Sequence, residues 1–107
     1  MRVLFDQGAP VPLRNALGHH VVETVYERGW QILGNGELLE AAEAAGFELL
    51  VTTDQNLRYQ QNLANRKIAV LVLLTTSWPR IQPHTDMVVA AIDALETGEY
   101  QEVSFPN

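Results

Sequence analysis

Asp6 and Asp54 are the two residues of this chain whose type and setting point first to chemistry. Each closes a short apolar stretch rich in β-formers, Arg2–Phe5 in one case and Leu49–Thr53 in the other, so each is expected at the carboxyl end of a strand. In open α/β sheets ligands collect just beyond those ends, near the point where the strand order reverses. If the first and third strands are neighbours, as in a 2-1-3-4 order, the two carboxylates lie on adjacent strand ends and share one ion. At about 4 Å and an effective dielectric near 20, two like charges repel by roughly 4 kcal/mol, so such a pair holds a proton or recruits a cation. Hard oxygen ligands favour magnesium or manganese. The competing assignment is plainer: Asp commonly caps the turn or helix that follows a strand.

The stretch Asn56-Leu-Arg-Tyr-Gln-Gln-Asn62 follows Asp54 directly and is dense in groups that bond phosphate, sugar or base edges. Arg58 could clamp a phosphate and Tyr59 could stack a base; the alternative is a solvated helix face with Tyr59 partly tucked into the core. Arg66 and Lys67 suit the end of that helix. His19 and His20 are adjacent and would point to opposite faces of a strand, which argues against a shared ion. Trp30 and Trp78, beside Gly29 and Pro79, read as covers for the core edge.

The elements that must position these residues alternate along the chain. Pro10 and Pro12 open a short helix over Leu13–Leu17, and His20–Val25 reads as a second strand because Val21, Val22 and Val25 are β-branched. The clearest helix starts at Asn35 as N-cap, carries Leu38, Leu39, Ala42 and Ala45 on one face, and stops before Gly46. After Asp54 a helix is expected over Leu57–Leu63, then a fully buried strand over Ile68–Leu74. Trp78, Pro79 and Pro83 read as a loop, Thr85–Leu95 as a helix followed by Gly98, and Tyr100–Phe105 as an edge strand. The pattern predicts a single α/β domain over the whole chain: a small doubly wound, mostly parallel sheet with right-handed crossovers and helices on both faces.

Composition narrows the classes. The 107 residues fit one domain, 47% are hydrophobic, and there is no cysteine, which excludes disulfides and thiolate chemistry. Thirteen acidic against seven basic residues give a net charge of −6, unfavourable for a phosphate backbone unless the basic groups gather or a cation intervenes. No run reaches the roughly 20 apolar residues of a membrane-spanning helix, and Met1-Arg2 leads straight into a strand without the signal of a secretory leader. The expectation is a cytoplasmic protein with no membrane partner.

The segment Asn35-Gly-Glu-Leu-Leu-Glu-Ala-Ala-Glu-Ala-Ala-Gly46, followed by Leu49-Leu-Val-Thr-Thr-Asp54, resembles the carboxyl half of a PIN domain. With an Asp closing the first strand before a Pro and a short helix, the chain from Val3 to about Leu74 is similar to compact bacterial PIN-like proteins related to VapC-type toxins. The resemblance implies a Rossmann-type three-layer fold and a ribonuclease in which three or four carboxylates hold Mg2+ or Mn2+ and activate water. It carries the first acid onto Asp6 and the last onto Asp54. The acid opening the middle helix falls on Asn35, an amide, and Glu37 two positions later is the candidate replacement. Glu37 equally suits a first-turn partner of the helix dipole. Gln7 and Asn56 stand where relatives often carry acids, and Glu23 and Glu27 are only neighbours in sequence of a glutamate the larger domains use. The same resemblance implies RNA as substrate, a small antitoxin partner and a homodimer. Against the ribonuclease stands a weakened PIN-like module that acts by binding protein or RNA.

Overall fold

The computed structural model describes residues 1–106. Five strands, β1 (Arg2–Phe5), β2 (Val21–Thr24), β3 (Leu49–Thr52), β4 (Ala69–Leu73) and β5 (Tyr100–Val103), form one sheet. Every neighbouring pair is parallel and the order is β2-β1-β3-β4-β5. The helices are α1 (Val25–Arg28), α2 (Asn35–Ala44), α3 (Leu57–Gln60), α4 (Trp78–Ile81) and α5 (Thr85–Ala94), with 3-10 turns over Val11–Ala16 and Gln82–His84.

Strand alternation divides the core between the two faces of the sheet. Val3, Phe5, Leu49, Val51 and Leu71 point to one face, where Leu13, Ile81, Val88 and Ile92 cover them. Leu4, Leu50, Val70 and Val72 point to the other, under Val25, Leu38, Leu39, Ala42 and Leu57. All of β3 and β4 is buried, as their unbroken aliphatic sequences require. At roughly 1.5–3 kcal/mol for each large aliphatic side chain removed from water, this two-sided burial is what holds the layers together.

The order places the reversal between β1 and β3: the chain leaves β1 outward to β2, then returns across it to β3. One expectation fails here. The β2–β3 connection through α2 and the β4–β5 connection through α5 run the same way across the sheet but cover opposite faces, so the crossovers cannot all be right-handed. The physical reason lies in the short 3-10 turn over Val11–Ala16, in which Leu13 alone is buried. It cannot cover its face of the sheet, and α5 supplies Val88, Ala91 and Ile92 there instead.

Local boundaries also depart from the sequence reading. Val25 leaves the expected strand and starts α1, because the Thr24 hydroxyl accepts from Glu27 N at 3.1 Å while the Glu27 carboxylate accepts from Thr24 N at 2.8 Å. That reciprocal cap outweighs the β-preference of valine. Residues 78–84 are helical rather than loop, since Pro79 sits in the first turn of α4, where its missing N–H costs nothing. The helix after Asp54 stops at Gln60, and the Asn62 side chain accepts from Ala64 N at 3.1 Å, a local turn that competes with further helix. Gly34, not Asn35, is the N-cap of α2. Trp30 packs edge-on against Phe47 at 6.1 Å, and Trp78 packs against the opposite core face, as covers for the core.

Glu43 ties α2 to the entry of β4, accepting from Arg66 Nη1 at 2.8 Å, Lys67 N at 2.6 Å and Ile68 N at 3.3 Å. Burial pushes its carboxyl upward, but these donors win and hold it below the ordinary 4.5. A lowered folded value means that the stabilisation is complete above the unfolded value and is lost as pH falls through the folded one. Glu43→Gln is therefore expected to lower stability by about 1–2 kcal/mol at neutral pH, with the difference from the parent vanishing well below pH 4.5, as read by urea midpoints at both pH values.

Candidate functional site

The site is built where β1 and β3 end side by side. Asp6 extends the ladder by one bond, its N–H donating to Val51 O at 2.9 Å, and then the chain turns back with Ala9 N donating to Asp6 O at 3.1 Å. Asp54 lies two residues past the end of β3 and starts its own turn, with Asn56 N donating to its Oδ1 at 2.9 Å. Both aspartates are half-buried.

Thr52 joins them. It is polar, only 1% exposed, and sits in a strand that is otherwise Leu-Leu-Val. Its hydroxyl donates to Asp6 Oδ2 at 2.9 Å and accepts from Asp54 N at 3.1 Å. The remaining oxygens are also engaged: Asp6 Oδ1 accepts from Gln7 N at 2.8 Å, and Asp54 Oδ2 accepts from Asn35 Nδ2 at 3.0 Å. Each carboxylate thus gives one oxygen to its own turn and one to a neighbouring element. The capping role and a shared site coexist, because a carboxylate oxygen has two lone pairs and one bond uses only one of them.

Asn35 begins α2 and its amide N–H2 bridges Asp54 and Gln60 Oε1, both at 3.0 Å, which brings α2 and α3 to the strand ends. Its donors are committed to those two acceptors, leaving the carbonyl oxygen as its atom able to ligate a cation. Glu37 turns the other way, its carboxylate accepting from Gly34 N at 3.4 Å. This is half of a capping box, since glycine has no side chain to reciprocate. Among the described residues no three His, Asp or Glu side chains gather where they could hold a metal ion. A divalent cation here would rest on two carboxylates and an amide carbonyl, an oxygen set that suits Mg2+ or Mn2+ and carries less charge than a three-acid site.

The sequence neighbours Glu23 and Glu27 are elsewhere occupied. Glu23 lies below the usual carboxylate range because Arg28 and Arg2 both donate to it, at 3.0 Å and 3.3 Å in the shortest contacts. Glu27 is lowered in the same way by Arg14, then by Thr24 N. Neither faces Asp6 or Asp54 in any hydrogen bond.

Of the residues expected to meet a substrate, Asn56 contributes its main chain to the Asp54 turn, and Tyr59 is 73% exposed. Arg58 is folded back: it donates to Tyr59 Oη at 2.6 Å, lies 4.8 Å and 5.4 Å from the Tyr59 and Tyr100 ring centres, and stands 3.9 Å from Glu102. Tyr100 donates to Glu102 at 2.8 Å, and its phenol is pushed up to about 12 by burial and then by that carboxylate. The arginine is therefore held by cation–π contacts and an acid, and meeting a phosphate would require it to leave them.

Three further positioning residues escaped the sequence reading. Thr52 could have been suspected from a polar residue inside an aliphatic strand. Gln60 lay in the polar stretch Asn56–Asn62, with nothing in the sequence to mark it as a partner of Asn35. Gly8 packs so closely that a Cβ there would lie 1.9 Å from Thr53 Oγ1 and 3.2 Å from Thr53 Cβ, so the turn after β1 rests directly on the chain between Thr52 and Asp54.

Two variants separate these contacts. Thr52→Val removes one hydroxyl that serves two partners and is expected to cost about 1–3 kcal/mol of stability. Gly8→Ala is expected to destabilise by about 1–3 kcal/mol through overpacking. Adding Thr53→Ala should restore most of the second loss and none of the first. Thermal or urea unfolding of the single and paired variants reads this, and equal rescue of both would show that Gly8 and Thr53 do not act through the contact described.

Comparisons of the chain with protein-family models, with curated proteins and with solved structures found no match.

Proposed function

We propose that the chain is a PIN-like protein of Rossmann-type three-layer build whose Asp6 and Asp54, completed by the Asn35 carbonyl, hold one Mg2+ or Mn2+ and hydrolyse RNA phosphodiester bonds. The observation that carries the reading is the pair of aspartates at the carboxyl ends of adjacent parallel strands, on either side of the reversal in strand order, bridged by the Thr52 hydroxyl. A bound divalent cation would supply Lewis acidity at the scissile phosphate. The chain's own part is to fix the two carboxylates against each other, to hold Asn35 on Asp54, and to offer Tyr59 as a stacking surface and Arg58 and Asn56 as polar contacts to the nucleotide. The resemblance to toxin relatives extends the proposal to a cytoplasmic toxin with a small antitoxin partner, and to a homodimer.

One observation favours a second reading. Glu37 is turned to the N-cap of α2, so the third carboxylate that would complete a nuclease site is not gathered with the other two. A module that binds RNA or a protein partner without cutting follows from that reduced charge.

Incubation of the full chain with structured RNA and Mn2+ or Mg2+ tests the first reading. Cleavage that needs the ion and disappears in both Asp6→Asn and Asp54→Asn is expected. Cleavage unchanged in those variants, or none with either ion, refutes it. Calorimetric titration with MnCl2 alone separates the readings further: heat that vanishes in Asp54→Ala without any RNA cleavage leaves the binding module standing.

A further inference from the structure

The Asn35 side-chain nitrogen donates twice, to Asp54 Oδ2 and to Gln60 Oε1, each at 3.0 Å. One such bond fixes where the nitrogen sits and leaves the amide plane free to turn about it. Two bonds in different directions fix the plane, and with it the direction of the carbonyl oxygen, the atom of this side chain that can ligate a cation.

An amide needs that second bond in a way that a carboxylate does not. A carboxylate presents two equivalent oxygens, so it offers a ligand whichever way it turns. An amide carries an acceptor on one side and two N–H donors on the other, and half a turn exchanges a ligand for a group that repels a cation.

Gln60 is carried by α3, and α3 is held in place without it. Leu57 is only 1% exposed, and Arg58 donates to the Tyr59 hydroxyl and lies over the Tyr59 and Tyr100 rings. Asn56, which precedes α3, donates its N–H to Asp54. On the side of α2, the Gln61 side chain lies against the first turn, where a Cβ on Gly36 would stand 3.0 Å from Gln61 Oε1 and 3.5 Å from its Cδ. Truncation of residue 60 therefore removes one hydrogen bond and leaves its helix where it is.

Given the cation site proposed above, the geometry points to Gln60 as a positioning residue that keeps the Asn35 carbonyl turned toward the ion, so that affinity for Mg2+ or Mn2+ depends on a side chain that acts only through Asn35.

Mn2+ binding to the full chain, followed by the EPR signal of the free ion, tests it alongside hydrogen exchange of the Asn35 side-chain amide in the metal-free protein. Gln60→Ala is expected to weaken Mn2+ binding by about threefold to tenfold, the effect of one hydrogen bond. One of the two Asn35 amide protons should exchange faster in that variant with no metal present. With Asn35→Ala in place, Gln60→Ala should cause no further loss, since no amide is left to orient. An affinity that Gln60→Ala leaves intact while Asp54→Ala abolishes it overturns the role of Gln60 and leaves the cation site standing, and so does an equal loss with and without Asn35. A parent chain that binds no Mn2+ overturns the site, and the role of Gln60 with it.

Discussion

The Thr52 hydroxyl is the contact through which the two halves of the site become one. A threonine at the end of a buried strand must satisfy its oxygen, and here the partners within reach are the Asp6 carboxylate and the Asp54 N–H. Serving as donor to one and acceptor to the other, it fixes the separation of two acidic turns that the backbone ladder alone would leave free beyond Asp6. Gly8 packs against the same junction, so closely that a Cβ there would displace the Thr53 side chain. The rest of the architecture exists to make β1 and β3 neighbours, which the return of the chain across β1 after β2 accomplishes.

The site's charge follows from what surrounds it. Several glutamates of the chain are tied into structure: Glu23 to Arg2 and Arg28, Glu27 to Arg14 and Thr24, Glu43 to Arg66 and the β4 entry, Glu37 to Gly34. Asp6 and Asp54 also meet donors, all of them neutral: Gln7 N and the Thr52 hydroxyl for Asp6, Asn56 N and the Asn35 amide for Asp54. The amide of Asn35 lets α2 bond to Asp54, and Gln60 takes the second amide hydrogen.

Several features could be read directly from the residues. The aliphatic run ending at Leu74, the helix stopping before Gly46 and the strand-end positions of Asp6 and Asp54 each follow from one local pattern, and the 2-1-3-4 order needed only the adjacency that the sheet displays. Other features depend on competition between patterns. Thr24-Val-Tyr-Glu27 is a capping sequence hidden inside a β-branched stretch, and the cap prevails. Trp78-Pro79 looks like a break and is a helix start. The hand of the last crossover follows from how little apolar surface Val11–Ala16 can cover, a property of the assembled layers rather than of any segment. The direction of Glu37 is of the same kind: a first-turn glutamate can reach either its own N-cap or the strand ends, and the bare N–H of Gly34 decides it.

The claim on which the functional reading rests is that Asp6 and Asp54 converge on one cation. Crystals grown from the full chain and soaked in MnCl2, measured at a wavelength where manganese scatters anomalously, report on it directly. The expected result is a single anomalous peak between the two aspartates, with an oxygen of each at about 2.1 Å and the Asn35 carbonyl turned toward it. Ordered Asp6 and Asp54 side chains with no peak between them, or a peak bound only elsewhere on the molecule, would contradict it.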